Sequence, residues 1–130
     1  ASVTVEDVTT TRDTLIVTGP KSRDILAELT DADLQSGWFT HQTATVAGQP
    51  AYLIRVSFAG ELGWEVHGLN EHLPAIYDAI RDAGATPFGM YALNSLRLEK
   101  GYRAWKGDLS TDYSLLEGGL ERFVKLDKPQ

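Results

Sequence analysis

Apolar and polar positions alternate along the chain in two different periods. The run "DTLIVTG" (Asp13–Gly19) is short and β-branched, which predicts a buried strand. Pro20 then stands where a first helical residue belongs, and Ile25, Leu26 and Leu29 follow at helical spacing, so Pro20–Leu29 reads as a helix. "LTDADLQSGW" reads as a polar loop. In "HQTATVAGQPAYLIRVSF", Thr43–Val46 forms one arm of a hairpin and Gly48–Pro50 its turn. Tyr52, Ile54, Val56 and Phe58 alternate on one face of the second arm. A glycine-bounded turn follows, and "WEVHG" is a third strand of this group.

The period then changes from two to 3.6. Leu73, Ile76, Tyr77 and Ile80 fall at i, i+3, i+4 and i+7, an amphipathic helix ended by Gly84, with Pro74 in its first turn. "MYALNSLRLEKG" reads as another helix, ended by Gly101. The remainder, "YRAWKGDLSTDYSLLEGGLERFVKL", mixes aromatic, turn and acidic residues and reads as loop with a late strand or helical turn. The order β-α-β-β-β-α-α predicts an α+β fold, an antiparallel sheet with helices packed on one face.

Composition narrows the chemistry. The chain has 130 residues, 42% hydrophobic and 23% charged, enough for one domain with a core. A formal net charge of −6 argues against a nucleic-acid backbone or an anionic membrane surface as partner. The absence of cysteine excludes disulfides, thiolate zinc sites and cysteine nucleophiles. No apolar run approaches the ~20 residues of a membrane span, and no secretory signal is visible at the start. His41, His67 and His72 share no metal-ligand spacing, and serine-elbow and phosphate-loop patterns are missing. Both ends read as cut within longer elements, so the chain is expected to be a fragment of a larger protein. Apolar surface left open at those ends would favour self-association.

Two charged residues stand out. Glu61 lies between Gly60 and Gly63 in "SFAGELGWEVH", flanked by Phe58 and Trp64. A carboxylate at a turn tip is usually only solvated, but here it would also suit a flat, hydrogen-bonding ligand. Arg97 lies one turn after Leu93, at the edge of an apolar stripe. It either snorkels outward or meets a carboxylate at a pocket edge. Trp38, Phe39, Tyr102, Trp105 and Tyr113 would form a stacking site if several converged near Glu61.

"SFAGELGWEVH" resembles the G-Y-x-G-E-x-G-x-E segment of the glycine-cleavage T-protein (aminomethyltransferase) family. "YALNSLRLEKGYRAWKGDLSTDYSLLEGGLERFVKLDKP" resembles that family's A-x-x-S-L-R-L-E-x-G segment and its continuation, and "LIVTGPKSRDIL" resembles the opening of its central domain. The forms "GELGWE", "LEKGYRAW" and "FVKLDKP" are closest to the tetrahydrofolate-binding C-terminal part of dimethylglycine and sarcosine dehydrogenases. The resemblance implies a three-domain fold around a folate cavity. Residues 1–105 would be its folate-binding middle domain, and residues 106–130 a linker and the start of a C-terminal barrel domain. It also implies tetrahydrofolate as cofactor, a methylated-amine or aminomethyl donor, and the remaining domains of the parent protein as partners. FAD would belong to the parent if that is a dehydrogenase, not to this chain.

Carried over by position, the folate-binding residues would be Glu61 on the pterin, Arg97 near the folate site, and Trp105 as an aromatic neighbour. Glu99 and Glu117 match acidic positions with structural roles. No catalytic residue is assigned, because the family's catalytic aspartate lies in a first domain that nothing here matches. The chain alone is therefore expected to be inactive, within a parent located in the cytoplasm or mitochondrial matrix. Phe58 stands where the family has tyrosine, which removes a hydroxyl. Two alternatives remain. One is a non-catalytic folate-binding relative, whose K-G-C-Y-x-G-Q signature is replaced here by "KGYRAWKG". The other is an α+β interaction module without a small ligand.

Overall fold

The computed structural model of the chain describes residues 2–125, 127 and 128. The element order is β1 (Arg12–Thr18), α1 (Ser22–Ala27), β2 (His41–Val46), β3 (Gln49–Ile54), β4 (Gly63–Leu69), α2 (Leu73–Asp82) and α3 (Met90–Glu99), with a late 3-10 turn at Glu121–Phe123. The order read from the two periods is the one observed. The end of the "FVKLDKP" segment, Leu126 and Pro129, lies outside the described residues.

The four strands form one antiparallel sheet in the order β1-β4-β3-β2. Its inner face carries Val17, Val46, Leu53, Trp64 and Val66, closed by Leu26 of α1 and by Leu73, Ile76 and Ile80 of α2. Both helices thus cover the same face. Helix α3 stands outside this core and buries only Leu93 and Arg97. The described residues beyond α3 run mainly as turns. Among the described residues, no helix is long and apolar enough to cross a membrane.

Three local expectations are corrected. Pro20 is not helical: it sits in a Gly19–Ser22 turn closed by the Ser22 N–H on the Gly19 carbonyl at 3.1 Å, before the cap residue Lys21. Proline fixes the φ that the second position of such a turn needs. The hairpin turn is the two residues Ala47–Gly48, so Gln49 and Pro50 belong to β3. Pro50 is tolerated there because β3 pairs with β4 only over Tyr52–Ile54, so its missing N–H interrupts no bond to β4. Tyr52 and Ile54 do share a face, but Leu53 and Ala51 are the buried pair, and β3 ends before Val56. Register decides this, since Leu53 lies opposite Val66 while Tyr52 lies opposite His67 on the outer face. There Tyr52 stacks on His41 at 5.2 Å, and His67 bridges Thr14 and Glu65.

Candidate functional site

The connection between β3 and β4 is fixed at its far end by one carbonyl. Leu62 C=O accepts from the Gly19 N–H at 2.8 Å, from the Ser22 hydroxyl at 3.0 Å and from the Thr18 hydroxyl at 3.3 Å. The Thr18 hydroxyl also lies 3.0 Å from that of Ser57, at the start of the connection. Ser22 and Ser57 are both buried. The "TGPKS" turn after β1 is therefore the seat of the "SFAGELG" turn, and Glu61 is the residue just before the anchored carbonyl.

The other side of that turn faces the end of α3. Helix α3 closes with the Gly101 N–H on the Leu98 carbonyl at 2.9 Å and the Tyr102 N–H on the Arg97 carbonyl at 2.8 Å. This is the paired C-terminal closure that requires a left-handed residue, here Gly101 at φ 70°. Lys100, the last residue before that glycine, reaches back to the turn. Its stem lies over Gly60, and its Nζ lies 3.3 Å from Oε1 of Glu61. The Glu61 side chain keeps 38% of its surface exposed.

Gly60 is needed twice, for φ 76° and because a Cβ there would collide with the Lys100 side chain. Gly60→Ala is expected to cost about 1–2 kcal/mol of stability through left-handed strain and the displaced lysine. Thermal unfolding followed by circular dichroism checks this. A variant as stable as wild type would mean that the turn relaxes freely.

Arg97 does not snorkel. Its side chain is 7% exposed and donates from Nε and Nη2 to Asn94 Oδ1, at 2.8 and 2.6 Å. Nη1 donates to the Tyr102 carbonyl at 2.8 Å and to the Asp108 carboxylate. Asp108 also accepts the Ala104 N–H at 2.8 Å. That bond first, and the Arg97 guanidinium second, hold its carboxyl below the usual aspartate value of 3.8. The result is a braced turn over residues 104–109, in which Trp105 pairs with Leu109 and is itself 79% exposed.

Arg97→Ala should lower stability by about 2–3 kcal/mol by removing the charge-assisted bonds of a buried guanidinium to partly exposed partners. The Asp108 carboxyl is depressed on folding, so its contribution is full above the ordinary aspartate value. It is lost as pH falls through the folded value, and the gap to wild type should narrow below roughly pH 4. Thermal melts at pH 7 and pH 3 test both statements.

The aromatic residues do not all gather at Glu61. Trp64 turns into the core at 1% exposure, so it is no flank for a ligand. Trp38 stacks on Phe39 at 5.5 Å, on the connection before β2. Phe58 is partly exposed. Glu117 closes a turn by accepting the Ser114 N–H and hydroxyl at 2.8 and 2.7 Å, while Glu99 is exposed. Among the described residues, no cluster of three histidine, cysteine or acidic side chains could hold a metal. A cavity of about 580 Å³ runs along β1 to the connector before α3, and a second of about 520 Å³ opens on the outer face of the sheet beside Tyr52 and His67. Neither is lined by Glu61, Arg97 or Trp105.

Sequence reasoning missed Lys100 and Asp108. Lys100 occupies the variable position of the S-L-R-L-E-x-G pattern, and its signal was the glycine after it, which fixes where the helix ends. Asp108 lies in a segment without periodicity.

Comparison with known proteins gives this arrangement a family. The GCVT N-terminal domain model matches residues 1–128. The chain belongs to that family. This GCVT-family chain is 42% identical over 134 residues to the mitochondrial dimethylglycine dehydrogenase of Homo sapiens, covering 98% of the chain and 16% of that protein. It is 45% identical over 119 residues to the mitochondrial sarcosine dehydrogenase of Mus musculus, covering 86% of the chain and 13% of that protein. To an aminomethyltransferase of Streptomyces coelicolor it is 39% identical, covering 88% of the chain and 32% of that protein. The GCVT-family chain thus spans about one-sixth of the length of the dimethylglycine dehydrogenases it matches. A solved structure, the heterotetrameric sarcosine oxidase from Corynebacterium sp. U-96 in complex with pyrrole 2-carboxylate, shares the fold. It matches with a TM-score of 0.53 and 24% identity, over 66% of this chain and 46% of that one.

Proposed function

We propose that the chain is the folate-binding portion of a one-carbon transfer enzyme, in which Glu61 holds the pterin ring of tetrahydrofolate. The observation that carries this reading is the placement of Glu61. Its backbone is anchored through Leu62 on the β1–α1 turn, and its partly exposed carboxylate projects where the β3–β4 turn meets the end of α3. The pterin edge presents two neighbouring donors, a ring N–H and an exocyclic amine. A carboxylate presents two acceptors at matching separation, which gives a directional, charge-assisted pair. Holding the pterin in register makes transfer of a carbon from an amine to folate effectively intramolecular.

Arg97 acts in this proposal through the turn it braces, which leaves Trp105 exposed and open to serve as an aromatic neighbour of the ligand. Residues 1–105 form the folate-binding unit and residues 106–130 lead toward a barrel domain. The parent would work in the cytoplasm or, like the dehydrogenases named above, in mitochondria. It would take a methylated or aminomethyl amine as donor, with FAD only if a dehydrogenase domain is attached. Calorimetric titration of tetrahydrofolate into the chain and into its full-length parent tests the reading. Saturable binding by the parent is expected, and no heat of binding in either would sink it.

A further inference from the structure

We infer that Lys100 is a positioning residue for Glu61, aimed by the end of α3 so that the carboxylate presents both oxygens to the ligand. The inference deepens the folate reading and rests on it.

Three observations converge. The pair is direct, with Nζ 3.3 Å from Oε1. The lysine stem is laid over Gly60, the one residue type whose surface leaves room for it, so turn and stem fix each other. The start of that stem is rigid, because Lys100 precedes the Gly101–Tyr102 closure and Arg97 Nη1 grips the Tyr102 carbonyl at 2.8 Å. Arg97 and Glu61, one charged residue from each motif, are therefore linked through Lys100. The arrangement is compatible with a bound ligand. An ionised carboxylate has about four lone-pair sites, so one lysine contact leaves enough for two parallel N–H donors. It also restricts the rotamers of a partly exposed glutamate, which would otherwise have to be ordered on binding.

Lys100→Met keeps the stem and removes the charge, and Lys100→Arg keeps a charge. Tetrahydrofolate titration of the full-length parent at about 50 mM and 500 mM salt reads the effect. Lys100→Met should weaken binding about three- to sixfold at low salt, the scale of a partly exposed ion pair. The gap should shrink at high salt, where such a pair is screened. Lys100→Arg should restore most of the affinity, and the melting temperatures of all three proteins should agree closely. Equal or tighter binding by Lys100→Met, or a gap indifferent to salt, overturns the inference.

A second readout needs no ligand: the carboxyl carbon resonance of Glu61 in the 130-residue chain. It should move in Lys100→Met and return in Lys100→Arg. A parent that binds no folate defeats the folate reading alone; the Glu61 resonance then decides the lysine's role, and an unmoved signal overturns it.

Discussion

Glu61→Gln is expected to weaken tetrahydrofolate binding by the full-length parent roughly thirty- to eight-hundred-fold, about 2–4 kcal/mol. Glutamine keeps the shape of the side chain but turns one acceptor into an NH₂ group facing a donor. A charge-assisted bond is lost, and a buried donor on the ligand is left unpaired. The substitution also removes the ion pair with Lys100, 3.3 Å away. Lys100→Met isolates that contribution at three- to sixfold, and the double variant shows whether the two effects add. The remainder belongs to the ligand. Folding should change little, because the turn is held by the Leu62 carbonyl rather than by the carboxylate. Calorimetry on wild type and variant, with melts as control, is the check. Equal affinities would return Glu61 to an ordinary solvated turn tip.

The sheet and its helices were legible because periodicity reports burial. The 3.6-residue spacing of Leu73, Ile76 and Ile80 puts those side chains into the common core, and in the run Leu15–Val17 alternation turns Val17 and Leu15 toward it while Ile16, opposite Glu65, stays exposed. The face of β3 was less legible. "AYLI" is apolar at four successive positions, so alternation cannot say whether Tyr52 and Ile54 or Ala51 and Leu53 face inward. The partner strand makes that choice, through Leu53 opposite Val66. Pro20 was misplaced because proline suits both a first helical turn and the second position of a tight turn. A tertiary bond, the Leu62 carbonyl on Gly19 and Ser22, settles it.

The candidate site was legible in its residue types and not in its contacts. Glycines around Glu61 signalled a constrained turn, and Gly60 is left-handed and crowded by lysine. Arg97 at the edge of a stripe left two outcomes open, and the carboxylate that resolves them, Asp108, is eleven positions away in an aperiodic segment. Trp64 shows the limit of reading by neighbourhood. Adjacent to Gly63 in sequence, it suggested a wall for a flat ligand, yet alternation along β4 sends its ring into the core opposite Val17.

That burial makes Trp64→Ala the substitution expected to damage the fold most, by about 3–5 kcal/mol. A whole domain of this kind holds only about 5–15 kcal/mol, so the variant should lose much or all of its cooperative unfolding transition. The indole packs in the same cluster as Leu26, Leu53 and Ile76, drawn from α1, β3 and α2, so the cavity would open where three elements meet. The guanidinium groups of Arg23 and Arg55 lie 5.8 and 5.6 Å from its ring centre. Removing the ring takes away their aromatic partner, a loss that adds to the cavity. The damage should reach the site, because Trp64 is two residues past the Leu62 carbonyl and next to Gly63, which pairs with Thr18. Trp64→Phe should retain most of the core area and a cooperative transition, with folate binding near wild type in the parent. Urea unfolding followed by far-ultraviolet circular dichroism separates the two variants. A Trp64→Ala protein with an undiminished midpoint would show that this core closes around the void. It would also weaken the view that the Glu61 turn depends on the sheet beneath it.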